Sequence, residues 1–451
     1  MVVRGSRRLV VVGGVAAGLS AAGRARRIDP RLKVTVFERT GFCSYTACGL
    51  PYFVAGVIHD YRDLVVRAPE DFSPEGIDVH VHHEVLAVDT AASRIAVRDM
   101  GSGKKWKEDF DELLLSTGGT AKLPLKGLDL PGAFPVRTVE DGLAIRQWIA
   151  EHKPQRAVIV GGGYIGLEMA EALVAHGIQV CMVEMLEQVL PLVDEEIASG
   201  VRKELERAGV EVRCSTPVEA IEGDGRVRQV IAAGDAIDAE LVVVGTGVRP
   251  DNELARDAGI PLGPHGGVAV DEQMRTAIPQ VWAAGDCCET RHLLHDRSAY
   301  IPLGTTANKH GRIAGANIAG HRESFAGAAG TAAIKVMDLH VARTGLSERE
   351  ARNAGLDVAA ATIEHRSRAR YYPGGSAIKV KMVAERGSGR LLGAQLAGAE
   401  GVAKRIDVVA GALYSKATVD DVAGFDLSYA PPFAPVWDPL LIAARELEKA
   451  L

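Results

Sequence analysis

The chain alternates two textures. Short Val/Ile/Leu-rich runs are followed by glycine turns, and those by stretches in which apolar residues recur at helical spacing. Residues 9–12 read as a strand, 13–18 as a turn, 19–28 as a helix, and 33–37 as a second strand ending in Glu38. The unit returns as strand 157–160, turn 161–166, helix 167–176 and strand 179–183, ending in Glu184. Strands joined by crossover helices predict parallel sheets, and two such units predict two nucleotide sites. Residues 109–119 and 239–250 share one shape, a strand that closes a sheet and turns back, so the second unit is expected to be inserted in the first. Residues 276–286 then return to the first domain. From about Gly327 alternating strands such as 377–383, followed by helices, predict a third domain. The expected class is α/β: two Rossmann-like dinucleotide-binding domains at 1–119 with 245–325 and at 120–244, and a C-terminal α+β domain at 326–451.

Composition narrows the function classes. Of 451 residues 47% are hydrophobic and 24% charged, the balance of a globular chain. The net charge of -6 disfavours a nucleic-acid partner. No apolar run has the length of a membrane span, and the N-terminal residues run straight into a strand rather than through a signal peptide, so a cytoplasmic protein is expected. Six cysteines in a chain of this length do not make a disulfide scaffold. No metal cluster is expected.

The first turn, GGVAAG, keeps the first and last glycines of G-x-G-x-x-G, with Val15 in the middle. A helix N-terminus reached through such a turn offers unpaired N–H groups to a phosphate. Glu38 would accept from a ribose hydroxyl. Asp286, behind Gly285 at a strand end, would accept from a flavin ribityl chain. The expected FAD contacts are Gly13, Gly14, Val15, Ala16, Gly18, Glu38, Arg39, Gly118, Asp286 and Ala307. The second turn, GGGYIG, is a complete motif: Gly161 for the turn, Gly163 for the pyrophosphate, Gly166 for helix–strand packing. With Tyr164, Ile165, Glu184 and Gly247 these residues are expected to bind NAD(H). Glu184 would pair with a 2′-hydroxyl and repel a 2′-phosphate, favouring NADH over NADPH. Tyr164 could cover a flavin ring, and Glu168 could approach the nicotinamide carboxamide.

Cys43 and Cys48 follow Glu38 with C-x4-C spacing. Both lie near the start of an element beside the first site, where a thiolate near a helix N-terminus or a flavin is stabilised and nucleophilic. Cys181 and Cys214 read as small hydrophobes, and Cys287 and Cys288 as structural. No His occurs from Val409 onward, which weighs against a dithiol mechanism with a C-terminal His acid. Arg24 and Arg27 are three apart on one helix face and could meet ligand phosphates.

The run SYTACGLPYF (44–53), with GGVAAG, GGGYIGLE, PLGTTANKHGRIAG (302–315), KRIDV (404–408) and LSYAPPFAPVWDP (427–439), resembles the single-cysteine coenzyme A–disulfide reductase and NADH oxidase group over essentially the whole chain. The resemblance implies FAD, a reduced pyridine nucleotide and a homodimer. Its redox cysteine maps onto Cys48, cycling between thiolate and a mixed disulfide with coenzyme A. Its tyrosine pair, given by the partner subunit, maps onto Tyr429 and onto Tyr371 or Tyr372. Ser44, Arg24 and Arg27 would meet the substrate. Departures are visible: Ala16 stands where oxidase and peroxidase members carry a His, and Ala47 where reductase members usually carry an Asn that contacts coenzyme A. The chain stops at Leu451, before the rhodanese domain that some members add. The expected reaction is NADH-dependent reduction of coenzyme A disulfide, a persulfide or a polysulfide. The alternatives are a water-forming NADH oxidase or a peroxidase, with Cys48 passing through sulfenic acid, and an electron-transfer reductase for a ferredoxin or rubredoxin.

Overall fold

The computed structural model describes residues 7–121 and 125–451. Residues 1–6, with which the first-domain expectation begins, and 122–124 lie outside them. Strand β1 (Arg8–Val12), helix α1 (Ala16–Ile28) and strand β2 (Lys33–Phe37) form the first unit. β2 pairs with β3 (Ile77–His80), and Glu112–Leu115 and Val281–Ala283 complete a five-stranded parallel sheet on the other side of β1. The helix begins at Ala16, earlier than the apolar period suggests, so the last glycine of the turn is already helical.

The second sheet runs, in spatial order, Glu211–Arg213, Gln179–Val183, Arg156–Val160, Leu241–Val244 and Ala133–Pro135, all parallel. Helix α3 (Val139–His152) enters it through a capping box of Thr138 and Asp141. Helix α4 (Tyr164–Ala175) follows the complete glycine turn. Each parallel sheet carries a three-stranded antiparallel meander, His83–Asp109 in the first and Val218–Asp238 in the second. The passages between the two sheets pair with each other: Gly119–Ala121 runs antiparallel to Val248–Pro250, and Thr117 Oγ1 donates to the Asp251 carbonyl at 2.7 Å.

The C-terminal sheet is antiparallel throughout and starts at Ala332. Its inner face and the helices over it share one apolar core. Among the described residues no helix is long and apolar enough to cross a membrane.

Small residues set the approach of α1 to the Gly304–Ile318 helix. A Cβ on Gly311 would stand 2.1 Å from the Ala17 carbonyl oxygen, and one on Gly315 2.2 Å from that of Ala21. Two helices meet there backbone to backbone, and this fixes the end of the first sheet where the site lies.

Candidate active site

Both glycine turns are built alike. Gly13 and Gly161 take φ of 103° and 105°, which only glycine adopts without strain. A Cβ on Gly18 would lie 1.9 Å from the Gly13 carbonyl oxygen, and one on Gly166 1.9 Å from that of Gly161. Neither α1 nor α4 has a side-chain cap, so the first N–H groups of each are left for an anion. Glu38, buried, accepts from the Gly14 N–H at 2.8 Å and from the Thr40 N–H and hydroxyl at 2.9 and 2.8 Å. Glu184, equally buried, accepts from the Gly162 N–H at 2.7 Å and the Leu186 N–H at 2.8 Å. A carboxylate has about four acceptor directions, so each retains capacity for a ribose hydroxyl.

Asp286 fits a flavin side chain on its own chemistry. Burial raises its carboxyl, and among the described residues no hydrogen bond reaches it. The Tyr300 hydroxyl, whose titration feels the Asp286 charge, is buried without a partner among the described residues. Such groups are costly unless a ligand satisfies them. Gly285, φ 86°, lets the chain pass α1: a Cβ there would meet that of Ala17 at 2.8 Å. Ala307 is buried on the Gly304–Ile318 helix. Arg39 is exposed and paired with Asp251 at 3.4 Å. In the second unit Gly163 has open space where a Cβ would be, and the Thr246 hydroxyl beside Gly247 is buried without a partner. Tyr164 packs on the core of the second unit, close enough to the Arg343–Glu350 pair for their charges to act on its hydroxyl.

Cys48 lies on a single 3-10 turn, Ala47–Gly49, that leads into the short helix α2 (Leu50–Val54). The preceding loop is laced to residues 64–66 through Thr46 N–H to Leu64 O at 2.9 Å and Val66 N–H to Ser44 O at 2.8 Å. Ser44, φ 50°, also donates its N–H to Gly14 O at 2.9 Å, which holds the cysteine loop on the first glycine turn. The Gly41 N–H is held by Glu140 of α3 at 2.8 Å. Leu50, Phe53 and Val54 sink into the same core as Leu167 and Ala170 of α4. The cysteine therefore stands at the seam of the two units.

Among the six cysteines, all free, Cys48 alone is exposed. Cys43 is sealed, with Sγ on the Arg67 carbonyl at 3.6 Å, and burial pushes its thiol up to about 11. Cys287 and Cys288 are buried and bond to the carbonyls of Leu115, Ala284 and Gly285. The expected stabilisation of a Cys48 thiolate is corrected in sign. Protein crowds its sulfur although the residue is exposed, and this desolvation, then Glu168 and Asp286, raises the thiol.

Tyr371 and Tyr429 are both exposed, and their hydroxyls meet at 2.8 Å. That separates Tyr371 from Tyr372, which only two neighbouring tyrosines in a sequence could not do. Buried Arg405 of the KRIDV stretch positions both segments: it pairs with Asp438 at 2.9 Å and donates to the carbonyls of Ser367 at 3.1 Å and Phe433 at 3.5 Å. Arg24 is half-buried and paired with Glu323 at 2.7 Å, while Arg27 is exposed. The residues not anticipated were Tyr300, Glu140, Tyr52 and Arg405. Only Arg405 had a signal, as a cation at the helical spacing of the apolar residues Val402, Ile406 and Val409.

Residues 7–311 match the model of the pyridine nucleotide-disulphide oxidoreductases, and 331–439 match their dimerisation domain. The chain belongs to this oxidoreductase family. It is 40% identical over 444 residues to the NAD(P)H coenzyme A polysulfide/persulfide reductase of Pyrococcus horikoshii, covering 98% of each chain. It is 36% identical to the NADH oxidase of Methanocaldococcus jannaschii, over 98% of this chain and 99% of that one. The solved NAD-dependent persulfide reductase from A. fulgidus superposes with a TM-score of 0.95 at 37% identity, over 98% of this chain and 83% of that one. The family expectation and the α/β fold class are thus borne out. Membership implies FAD and a reduced pyridine nucleotide, which the two glycine turns with Asp286 and Tyr300 fit.

Proposed function

We propose that this oxidoreductase reduces coenzyme A disulfide, or a coenzyme A persulfide or polysulfide, with NADH, in the cytoplasm and as a homodimer. The observation that carries this is the contrast between Cys48, exposed at the seam of the two units, and Cys43, sealed behind it. A lone redox cysteine cannot close an internal disulfide, so its oxidised state is a mixed disulfide or a sulfenic acid. We assign residues 1–119 with 245–325 to FAD, 120–244 to NAD(H), and 326–451 to dimerisation.

In the forward step the Cys48 thiolate attacks one sulfur of the substrate. That S–S bond breaks, a new one forms to Cys48, and the departing thiolate takes a proton. Tyr371 and Tyr429 of the partner subunit are the donors we assign, since a phenol hydroxyl can supply that proton. The exposed Phe433, Val436 and Trp437 flanking Tyr429 fit burial by a second copy. FAD, when bound, would supply the two-electron chemistry between the nicotinamide and sulfur. Cys48 returns to the thiolate and the second half of the substrate leaves. Ser44 and the cations Arg24 and Arg27 are assigned to the coenzyme A moiety, Arg27 first because Glu323 already neutralises Arg24.

Kinetics with coenzyme A disulfide, polysulfide, peroxide and oxygen side by side test the reading. A sulfur substrate should dominate, and protein isolated without reductant should carry a coenzyme A mass increment that NADH removes and Cys48→Ser lacks. Fast oxygen consumption with an oxygen-only increment would establish the oxidase instead. The archaeal NADH oxidase relative favours that second reading, and Ala16, which cannot act as an acid, disfavours it.

A further inference from the structure

The loop that follows Glu184 is held from outside its own unit. Residues 185–193 lead from that glutamate toward the helix Glu195–Arg207. Midway they pack on the second glycine turn: the Leu190 N–H donates to the Gly162 carbonyl at 2.8 Å, and a Cβ on Gly162 would stand 2.9 Å from Val189 Cγ1. Leu190 is buried with φ 49°, the left-handed region that bulky side chains rarely adopt. Such a residue persists only where its surroundings over-determine it. Here three successive carbonyls are each taken by a side chain. Arg349 donates to that of Pro191, Arg343 to that of Leu192, and Gln188 of the loop itself to that of Val193 at 2.8 Å.

Asp194 ends the loop inside a buried polar cluster. Its N–H donates to Gln395 Oε1 at 2.6 Å, and its Oδ2 accepts from Gln395 Nε2 at 2.7 Å. The same carboxylate accepts the first two N–H groups of the helix Glu348–Asn353, those of Glu348 at 3.0 Å and Arg349 at 3.4 Å. Lys381, buried, stands 3.2 Å from Asp194 and 2.9 Å from both Glu196 and Glu348. Moving Asp194 away would leave buried charge and buried N–H groups without partners, so the cluster favours one arrangement. Arg343, Arg349, Lys381 and Gln395 all belong to the C-terminal domain.

We propose that the C-terminal domain positions the adenosine end of the NADH site: Arg343, Arg349 and the Asp194–Gln395–Lys381 cluster hold residues 185–194 in the conformation that walls the nucleotide beyond Glu184. Gln395 and Arg349 are positioning residues, since they act through the loop. This rests on the assignment of Glu184 and the second glycine turn to NAD(H). Exposed Met185 and Leu186, at the start of the loop, are the apolar surface it offers to an adenine ring. A loop released from the clamp would have to be ordered by the nucleotide, and that ordering subtracts from affinity. The effect therefore falls on binding of the adenosine half and not on hydride transfer at the nicotinamide end.

The test is calorimetric binding of ADP-ribose, the dinucleotide without its nicotinamide, to the FAD-loaded enzyme. Gln395→Met keeps the volume and removes both bonds to Asp194. It should raise the Kd about tenfold and speed hydrogen exchange across residues 186–194 in the nucleotide-free protein. Flavin reduction by reduced nicotinamide mononucleotide, which lacks the adenosine half, should keep its wild-type rate. An unchanged Kd for ADP-ribose, or an equal loss with both ligands, overturns the proposal. Should Gln395→Met not fold, Arg349→Ala decides, because that side chain is exposed. A rise in Kd of about threefold, reversed in Arg349→Lys, supports the clamp, and no rise overturns it. Glu184→Ala in the same assay separates the two readings. If it too leaves the Kd unchanged, the assignment of the second unit fails and the clamp with it. If Glu184→Ala alone weakens binding, only the clamp fails.

Discussion

The two dinucleotide units repeat one construction to within tenths of an ångström and yet do different work. Each has a positive-φ glycine, a last glycine pressed on the first one's carbonyl, and a buried glutamate bound to the N–H of the second glycine, at 2.8 Å in the first and 2.7 Å in the second. They diverge at two places. The middle position is Val15 in one and Gly163, with open space beside it, in the other. After the glutamate, the first unit runs into a loop laced to residues 64–66 and ending at Cys48, whereas the second runs into exposed Met185 and Leu186. The shared frame is the one we assign to a nucleotide. The flanking chain decides whether that nucleotide stands beside a thiol.

The sharpest way to break the comparison is at the thiol. Cys48→Ser should cost on the order of 10³-fold or more in sulfur-substrate turnover, the scale seen when a nucleophile is deleted. It should leave FAD bound and NADH oxidation by an artificial acceptor intact. Cys43→Ser should retain most turnover, since that thiol is sealed. Equal losses in the two variants would restore a dithiol mechanism.

The next test breaks the frames one at a time. Gly18→Val and Gly166→Val each drive a side chain into a carbonyl oxygen 1.9 Å away. Gly18→Val should yield colourless protein. Gly166→Val should stay yellow while its affinity for NADH falls by about a hundredfold or more, read by flavin reduction against NADH concentration. Loss of colour in Gly166→Val would reverse the assignment of the units.

Smaller effects sharpen the difference in the acids. Glu184→Ala should narrow the preference for NADH over NADPH by about tenfold in kcat/KM, through loss of a ribose hydrogen bond and of repulsion toward a phosphate. Equal kcat/KM for the two nucleotides in the wild type would remove Glu184 from the 2′ position. Tyr371→Phe should slow turnover with coenzyme A disulfide by about tenfold, and Tyr372→Phe should leave it unchanged. Reversed results would show that the hydroxyl pair at 2.8 Å is not the one that acts.

How much of this was legible from the sequence follows the range of each interaction. The glycine turns and both glutamates lie within one βαβ unit, so local spacing announced them. α2 has five residues, too few to show a period, and Cys48 read only as near an element start. The two meanders escaped because their strands are short and polar on one face. Glu140 on Gly41, Tyr52 on Glu168 and Tyr371 on Tyr429 join residues 99, 116 and 58 apart. No local pattern carries such contacts. The sign of the Cys48 shift was missed for the same reason: proximity to a helix start was visible, but Glu168 and Asp286 arrive from distant segments.

The smallest effect concerns acid stability, and it too divides the units. His310 lies on the helix that packs against α1, fully buried, with its ring nitrogens on Cys288 Sγ at 3.6 Å and Thr290 Oγ1 at 3.2 Å. Burial lowers it from 6.5 to about 4. The folded chain thus refuses a proton that the unfolded chain accepts below its ordinary value. Stability from the neutral ring is therefore fully present above pH 6.5 and is lost as pH falls toward 4. Among the described residues of the second unit no His is buried. Lowering the pH from 7 to 5 should reduce the Tm and release FAD before the NAD unit loses structure, followed by flavin fluorescence and by hydrogen exchange at α4. His310→Gln, which keeps a polar side chain without the titration, should lower the Tm at pH 7 but flatten its dependence on pH across this window. An unchanged slope would mean that another group, such as buried His292, lowered likewise to about 4, dominates the acid limb.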